Sequence, residues 1–269
     1  MPSPPYPAAA LQFRVDVGDV PANRERAAGW IGEAARRGAR LCVLPEMWST
    51  GFAEDRLPGL CRTTPGILHE LRTMAASLRI AIAGSLPERV GRGVCNTMYV
   101  INATGVLTGE YRKAHLFTPS GEDRWFRRGT SAGVIPTDAG LLGPLICYDL
   151  RFPELSRKYF LEGASVLCVA AQWPSVRASH WEILTTARAV ENQAYLVAAN
   201  AVGPSGPFRY AGGSVVVSPA GERLAAVPGE EEGIALATID PAVVEEIRRR
   251  IPCLADRNPR AYRKTRPPG

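Results

Sequence analysis

Three short segments place a reactive side chain at the end of an apolar run. The first is Gly143-Pro144-Leu145-Ile146-Cys147-Tyr148-Asp149-Leu150-Arg151-Phe152-Pro153-Glu154, a strand that delivers a thiol to a sharp turn before a helix. Such a turn presents a nucleophile beside backbone N–H groups, and a helix N-terminus close by would lower the thiol's pKa and favour thiolate. The second is Leu44-Pro45-Glu46-Met47-Trp48, where a carboxylate follows an apolar strand and is well placed to act as a general base. The third is Tyr111-Arg112-Lys113-Ala114-His115-Leu116-Phe117, whose lysine could stabilise a developing oxyanion. Taken singly, each has a plain alternative: a buried structural cysteine, a surface acid, an exposed lysine. The three gain force only as a set.

The elements that would position them alternate β-rich runs with amphipathic helical stretches. Leu11–Val17 alternates apolar and polar residues as a half-buried strand does, and a helix then runs from Pro21 to Gly38 with Trp30, Ile31 and Ala34 on one face. Strands are expected at Arg40–Leu44, Ile80–Ala83, Met98–Asn102, Leu141–Ile146, Ser165–Ala171, Tyr195–Ala201, Ser214–Ser218 and Ile234–Ile239. Helices are expected from Thr64 to Ser77, from Pro153 to Gly163, from Ser179 to Asn192 with Ser179 and Glu182 as a capping box, and from Pro241 to Arg250. Strands separated by helices imply one α/β layered domain. We read residues 1–10 as a flexible proline-rich start, 11–247 as the folded domain, and 248–269 as a basic tail that could lie at a subunit interface.

Composition narrows the class. The chain has 269 residues, 46% hydrophobic and 22% charged, ordinary values for a well-buried globular core. No run reaches the roughly 18 apolar residues of a membrane span, and Met1–Leu11 has no basic start and is broken by four prolines, so neither membrane insertion nor a secretory signal is expected. The formal charge is +6, but the stretch from Arg248 onward carries eight basic residues against Asp256 alone, which leaves about −1 for the body. A basic tail on a neutral body does not suggest a nucleic-acid groove. The six cysteines are widely spread with no C-x-x-C pair, which argues against a zinc site and suits a reducing cytoplasm.

Pro45–Met47, Arg112–Phe117 and Cys147–Glu154 together resemble the three signature blocks of the nitrilase superfamily of carbon–nitrogen hydrolases. The order Glu, Lys, Cys matches, and the similarity extends through Phe13–Asn23, Ser179–Gln193 and Leu254–Arg257, covering about residues 10 to 263. The resemblance implies a four-layer αββα sandwich, subunits that pair as a homodimer or a higher homo-oligomer, no cofactor or metal, and a triad of Glu46, Lys113 and Cys147. In that family the cysteine attacks the amide carbon, the glutamate serves as base, and the lysine and the N–H after the cysteine, here that of Tyr148, hold the oxyanion. A second family glutamate, which positions the substrate and assists proton transfer, maps onto Glu122, with a surface loop acid as the alternative. Arg151, four residues after the nucleophile, matches an arginine that binds a substrate carboxylate in one branch; pairing with Glu154 is the alternative. Trp173, in Ala171-Gln172-Trp173-Pro174, either walls the pocket or belongs to the core. These neighbours resemble omega-amidase-like members, which act on 2-oxo dicarboxylic acid monoamides. Amidases of deaminated glutathione and of carbamoyl amino acids, and an inactive binding homologue, are the alternatives.

One other motif merits mention. Gly129-Thr130-Ser131-Ala132-Gly133 fits the G-x-S-x-G elbow of serine hydrolases, yet Arg127-Arg128 before it and Pro136 after it give a poor strand-to-helix context.

Overall fold

The computed structural model describes residues 4–262. Two six-stranded sheets stack face to face. The first runs in the order β14-β1-β2-β3-β4-β5, with β1 at Tyr6–Gln12, β2 at Leu41–Val43, β3 at Ala81–Val90, β4 at Gly93–Ile101, β5 at Leu107–Arg112 and β14 at Gly233–Ile239. The second runs β13-β12-β9-β8-β7-β6, with β6 at Ile135–Thr137, β7 at Gly140–Ile146, β8 at Val166–Ala171, β9 at Tyr195–Asn200, β12 at Val215–Val217 and β13 at Arg223–Ala226. A separate hairpin joins β10 at Val202–Ser205 to β11 at Phe208–Ala211.

Strand alternation sorts the first sheet into two faces. Ala8, Ala10, Leu41, Val43, Ala81 and Ala83 point inward and pack with the second sheet's Val169 and Ala198. Ala9, Leu11, Cys42, Leu44 and Ile82 point outward, against Ala27 and Ile31 of α1 (Val20–Arg36) and, beyond the short α2 (Leu57–Leu60), against Ile67 and Leu71 of α3 (Thr64–Leu78). Beyond the four-residue α4 (Glu122–Trp125), the second sheet is covered by α5 (Pro153–Leu161) and α6 (Ala178–Asn192), through Leu155, Tyr159, Trp181 and Ala189. Small inward residues let the sheets approach closely, and the result is the expected αββα sandwich.

Several boundaries differ from the sequence reading. The first strand begins at Tyr6, and Ala8, Ala9 and Ala10 are wholly buried, so the flexible start cannot extend to residue 10. Pro7 is tolerated because it lies at the strand's beginning. The alternation seen at Leu11–Val17 is real as burial, since Phe13 and Val15 are fully covered, but beyond Gln12 the backbone has left the sheet. The Ser179–Glu182 capping box does not form: a 3-10 turn at Ser175–Arg177 runs directly into α6, and the residue before the helix is Arg177, with no side-chain cap. The basic tail does not start at Arg248 either. That residue lies in the last turn of α7 (Pro241–Arg250), donates to the carbonyl of Ala164 at 2.6 Å, and stacks over Phe160.

Candidate active site

Parallel strand directions bring the three chemical segments to one end of the sandwich. β2 runs parallel to β1 and β3, and β7 runs parallel to β8. β5 is antiparallel to β4, which is antiparallel to β3, so β5 points the same way as β2. Glu46 follows β2, Lys113 follows β5, Cys147 follows β7, and Gln172 follows β8. The sheets are stitched together at this end, where the Glu46 N–H donates to the carbonyl of Ala171 at 3.3 Å.

Local backbone fixes each segment. Cys147 sits at φ 44° and Met47 at φ 45°, the left-handed region that non-glycine residues avoid. Such strain persists only where surroundings impose it. Lys113 is gripped on both sides: its N–H donates to the Asn96 carbonyl at 2.9 Å, and its carbonyl accepts from Gly129 at 2.8 Å. Gly129 passes so close that a Cβ would lie 2.1 Å from the Arg112 carbonyl oxygen. The first glycine of the G-x-S-x-G string is therefore a packing requirement beside the lysine, while Ser131 is exposed and precedes no helix.

The side chains converge on the lysine. Lys113 Nζ lies 2.7 Å from Glu46 Oε1 and 2.6 Å from Glu122 Oε1, and all three residues are buried. Glu122, at the start of α4, also accepts the Phe117 N–H, so it is no surface acid. Glu46 is further held by Asn96 Nδ2 on Oε1 at 2.8 Å and by the Gln172 N–H on Oε2 at 3.1 Å. Gln172 Nε2 donates to the Glu46 carbonyl at 2.7 Å.

Burial pushes the Glu46 carboxyl upward, with Lys113 pulling it back and Glu122 adding to the rise. For Lys113, burial acts downward, but the Glu122 and Glu46 carboxylates outweigh it and hold the ammonium well above its ordinary value. Burial, and then the facing Glu46 charge, push the Cys147 thiol well above the usual thiol range. The expected lowering by a helix N-terminus is not realised. Cys147 opens a five-residue 3-10 turn, α5 starts only at Pro153, and a carboxylate rather than a helix end faces the sulfur. Burial and the Glu46 charge both favour the neutral form of the Cys147 thiol.

A cleft opens above this floor, lined by Phe117, Tyr148, Arg151, Trp173, Arg177 and Tyr210. Tyr148 meets Phe117 edge to face at 5.0 Å. Arg151 does not pair with Glu154: its guanidinium lies over the Trp173 ring at 4.7 Å, and its Nη2 is 3.1 Å from His180 Nδ1. Trp173 is both core and wall, since it is 2% exposed, donates to the Arg177 carbonyl at 2.8 Å and still lines the cleft. Asn96, Gln172 as a holder of Glu46, and Arg177 had no assigned role in the sequence. The only signal for Asn96 was a polar residue among the apolar positions of a strand.

Two stacked sheets between helical layers, closed over a buried cysteine, lysine and pair of glutamates, define a four-layer αββα sandwich with a thiol at its floor. The chain belongs to the carbon–nitrogen hydrolase family, whose family model matches residues 7–249. It is a carbon–nitrogen hydrolase carrying the Glu–Lys–Cys set characteristic of that family. Among curated relatives, it is 38% identical over 250 residues to a 2-oxoglutaramate amidase of Bacillus subtilis (strain 168), spanning 92% of this chain and 96% of that one. It is 34% identical over 251 residues to an omega-amidase of Homo sapiens, spanning 89% and 91% of the two chains. Among solved structures, a double mutant of the amidase from Nesterenkonia sp. AN1 in complex with acrylamide superposes with a TM-score of 0.85 at 27% identity, covering 96% of this chain and 95% of that one.

Among the described residues no helix is long and apolar enough to cross a membrane, and no group of three or more His, Cys, Asp or Glu side chains is arranged to hold a metal ion. All six cysteines are unpaired.

Proposed function

We propose that this chain releases ammonia from the amide end of a small 2-oxo dicarboxylic acid monoamide, with Cys147 forming a thioester intermediate. The carrying observation is the pairing of the buried Glu46–Lys113–Cys147 floor with two guanidiniums, Arg151 and Arg177, on the cleft walls above it. A carboxylate-bearing amide suits that arrangement, since a guanidinium binds a carboxylate through paired hydrogen bonds. The name of the Bacillus relative favours the same substrate class.

Glu46 takes the thiol proton as sulfur attacks the amide carbon. The oxyanion forms against the Tyr148 N–H and the lysine; an ammonium has three donors, and Glu46 and Glu122 engage two, which leaves one for substrate. Collapse breaks the C–N bond, and Glu46 returns the proton to the departing nitrogen. Glu46 then deprotonates a water, which attacks the thioester, and the proton passes back to sulfur with release of the acid. Glu122 holds Lys113 in place, Arg151 takes the distal carboxylate, and Trp173 stacks beneath that guanidinium and closes the wall.

A second reading, a longer amide such as deaminated glutathione, draws on one feature. The cleft shares Phe52, Glu54, Phe208 and Tyr210 with an adjoining depression lined by Val17, Arg56 and Ser205. Ammonia release from 2-oxoglutaramate, 2-oxosuccinamate, deaminated glutathione, a carbamoyl amino acid and a plain aliphatic amide separates the readings. Turnover confined to the oxo-acid amides supports the first, and turnover of deaminated glutathione alone replaces it with the second. We also propose a homodimer working in the cytoplasm; light scattering that reports only monomer at micromolar concentration would refute the dimer.

A further inference from the structure

The base carries more donors than ion pairing requires, and they are unequally divided. Glu46 Oε1 receives both Lys113 Nζ at 2.7 Å and Asn96 Nδ2 at 2.8 Å. Among the described residues, the donor on Oε2 is the Gln172 N–H, at 3.1 Å. An ionised carboxylate offers about two acceptor sites on each oxygen. Oε1 is therefore saturated, and one site remains, on Oε2.

We infer that Asn96 is a positioning residue for the base: by filling the second acceptor site of Oε1, it directs the thiol proton to Oε2. The inference rests on Glu46 being the base, as proposed above. Without Asn96, Oε1 keeps an open acceptor site beside Lys113, and the proton could settle on either oxygen. The same residue sets the lysine, because its backbone carbonyl accepts the Lys113 N–H at 2.9 Å. One position on β4 thus holds the base by its side chain and the cation by its main chain.

Two further observations separate this role from simple packing. Asn96 is wholly buried, yet among the described residues its Oδ1 has no hydrogen-bond partner. A buried amide with an orphaned oxygen is costly for a packing residue, and it is explained when the other end, Nδ2, is the part required. The acceptor it serves is also one of the two oxygens that must differ for the thiol proton to have a single destination.

The test compares Asn96→Ala, Asn96→Ser and Asn96→Asp with the intact chain, reading kcat and KM across pH and, without substrate, the pH dependence of Cys147 alkylation by iodoacetamide. Asn96→Ala is expected to lower kcat by about 10- to 100-fold, the size of one hydrogen bond to a charged group, with KM changed less than about threefold. The acid limb of kcat/KM should move to higher pH, because the carboxylate has lost a donor that favours its charged form. Asn96→Ser, which keeps a donor at shorter reach, should fall between the two. Should Asn96→Ala fail to fold, Asn96→Asp, equal in shape and lacking the donor when ionised, must show the same loss of kcat. An unmoved acid limb with unchanged kcat in any folded variant lacking the donor overturns the inference, as does a loss confined to KM. Glu46→Gln run alongside separates the two claims. If it retains turnover and the acid limb, the base assignment fails; if it abolishes both while Asn96→Ala leaves both intact, only the role of Asn96 fails.

Discussion

The floor and the mouth of the cleft are built by opposite means. On the floor, Lys113, Glu46 and Glu122 are almost completely covered and their contacts are direct charge-assisted hydrogen bonds; Lys113 immediately follows a sheet strand, Glu46 lies in a buried turn and Glu122 opens α4. At the mouth, Arg151 is only partly buried and is held by a ring face and an imidazole, and Arg177 lies over Phe117 at 5.4 Å. Low-dielectric burial makes the floor's geometry expensive to alter, whereas a guanidinium resting on an aromatic face can shift at small cost. On the proposed function, the floor would specify the reaction and the mouth the substrate.

That division can be broken by substitution, and the largest expected effects lie on the floor. Cys147→Ala should remove turnover by at least about 10⁴-fold in an ammonia-release assay, with substrate binding by calorimetry preserved. Lys113→Met should be almost as severe for activity, and it should also lower stability by about 3–5 kcal/mol in denaturant titrations, because it leaves two carboxylates buried without their cation. Glu46→Gln should cost roughly 10²–10⁴-fold in kcat. At the mouth, Arg151→Lys should raise KM for an acid-bearing amide by about tenfold while kcat moves less than about threefold, and a neutral amide should be unaffected. A kcat effect for Arg151→Lys as large as that of Glu46→Gln would erase the distinction between the two regions.

A pH profile sharpens it further. In the proposed mechanism Glu46 must be ionised to accept the thiol proton, and burial, only partly countered by Lys113, holds its carboxyl above the ordinary glutamate range. Activity should therefore fall, as pH is lowered, at a limb above that of a free glutamate side chain. A kcat/KM profile flat down to the ordinary glutamate value would mean that another group takes the proton.

Much of the floor was legible because its residues follow strands and stand in recognisable local strings: Pro45-Glu46-Met47, Arg112-Lys113-Ala114 and Cys147-Tyr148-Asp149. The helices from Thr64 and Pro153 were also legible, since each opens on a proline, and Pro241 marked a third. Asn96 was not, because its role depends on β4 lying beside the end of β5, a register that composition does not encode. The electrostatics of Cys147 were misread for a related reason: a turn before a helix suggests a positive end, but a carboxylate from a segment one hundred residues earlier in the chain dominates. Arg151 looked able to pair with its neighbour Glu154, whereas the fold supplies His180 and Trp173 from α6 and the loop after β8. Short strands such as β6 and β13 lack any strong alternation and emerge only through their partners.

The floor's one cation between two carboxylates also bears on the order of events after chemistry. A neutral amide can rest there; a carboxylate cannot do so comfortably. Hydrolysis turns the first into the second in place, so the enzyme creates, in its own deepest position, a group repelled by Glu46 and Glu122. The product is expelled toward the arginines at the rim, and an acid arriving from solvent meets the same repulsion when it tries to enter end-on. Such a site would run as a one-way valve, little inhibited by the accumulating diacid.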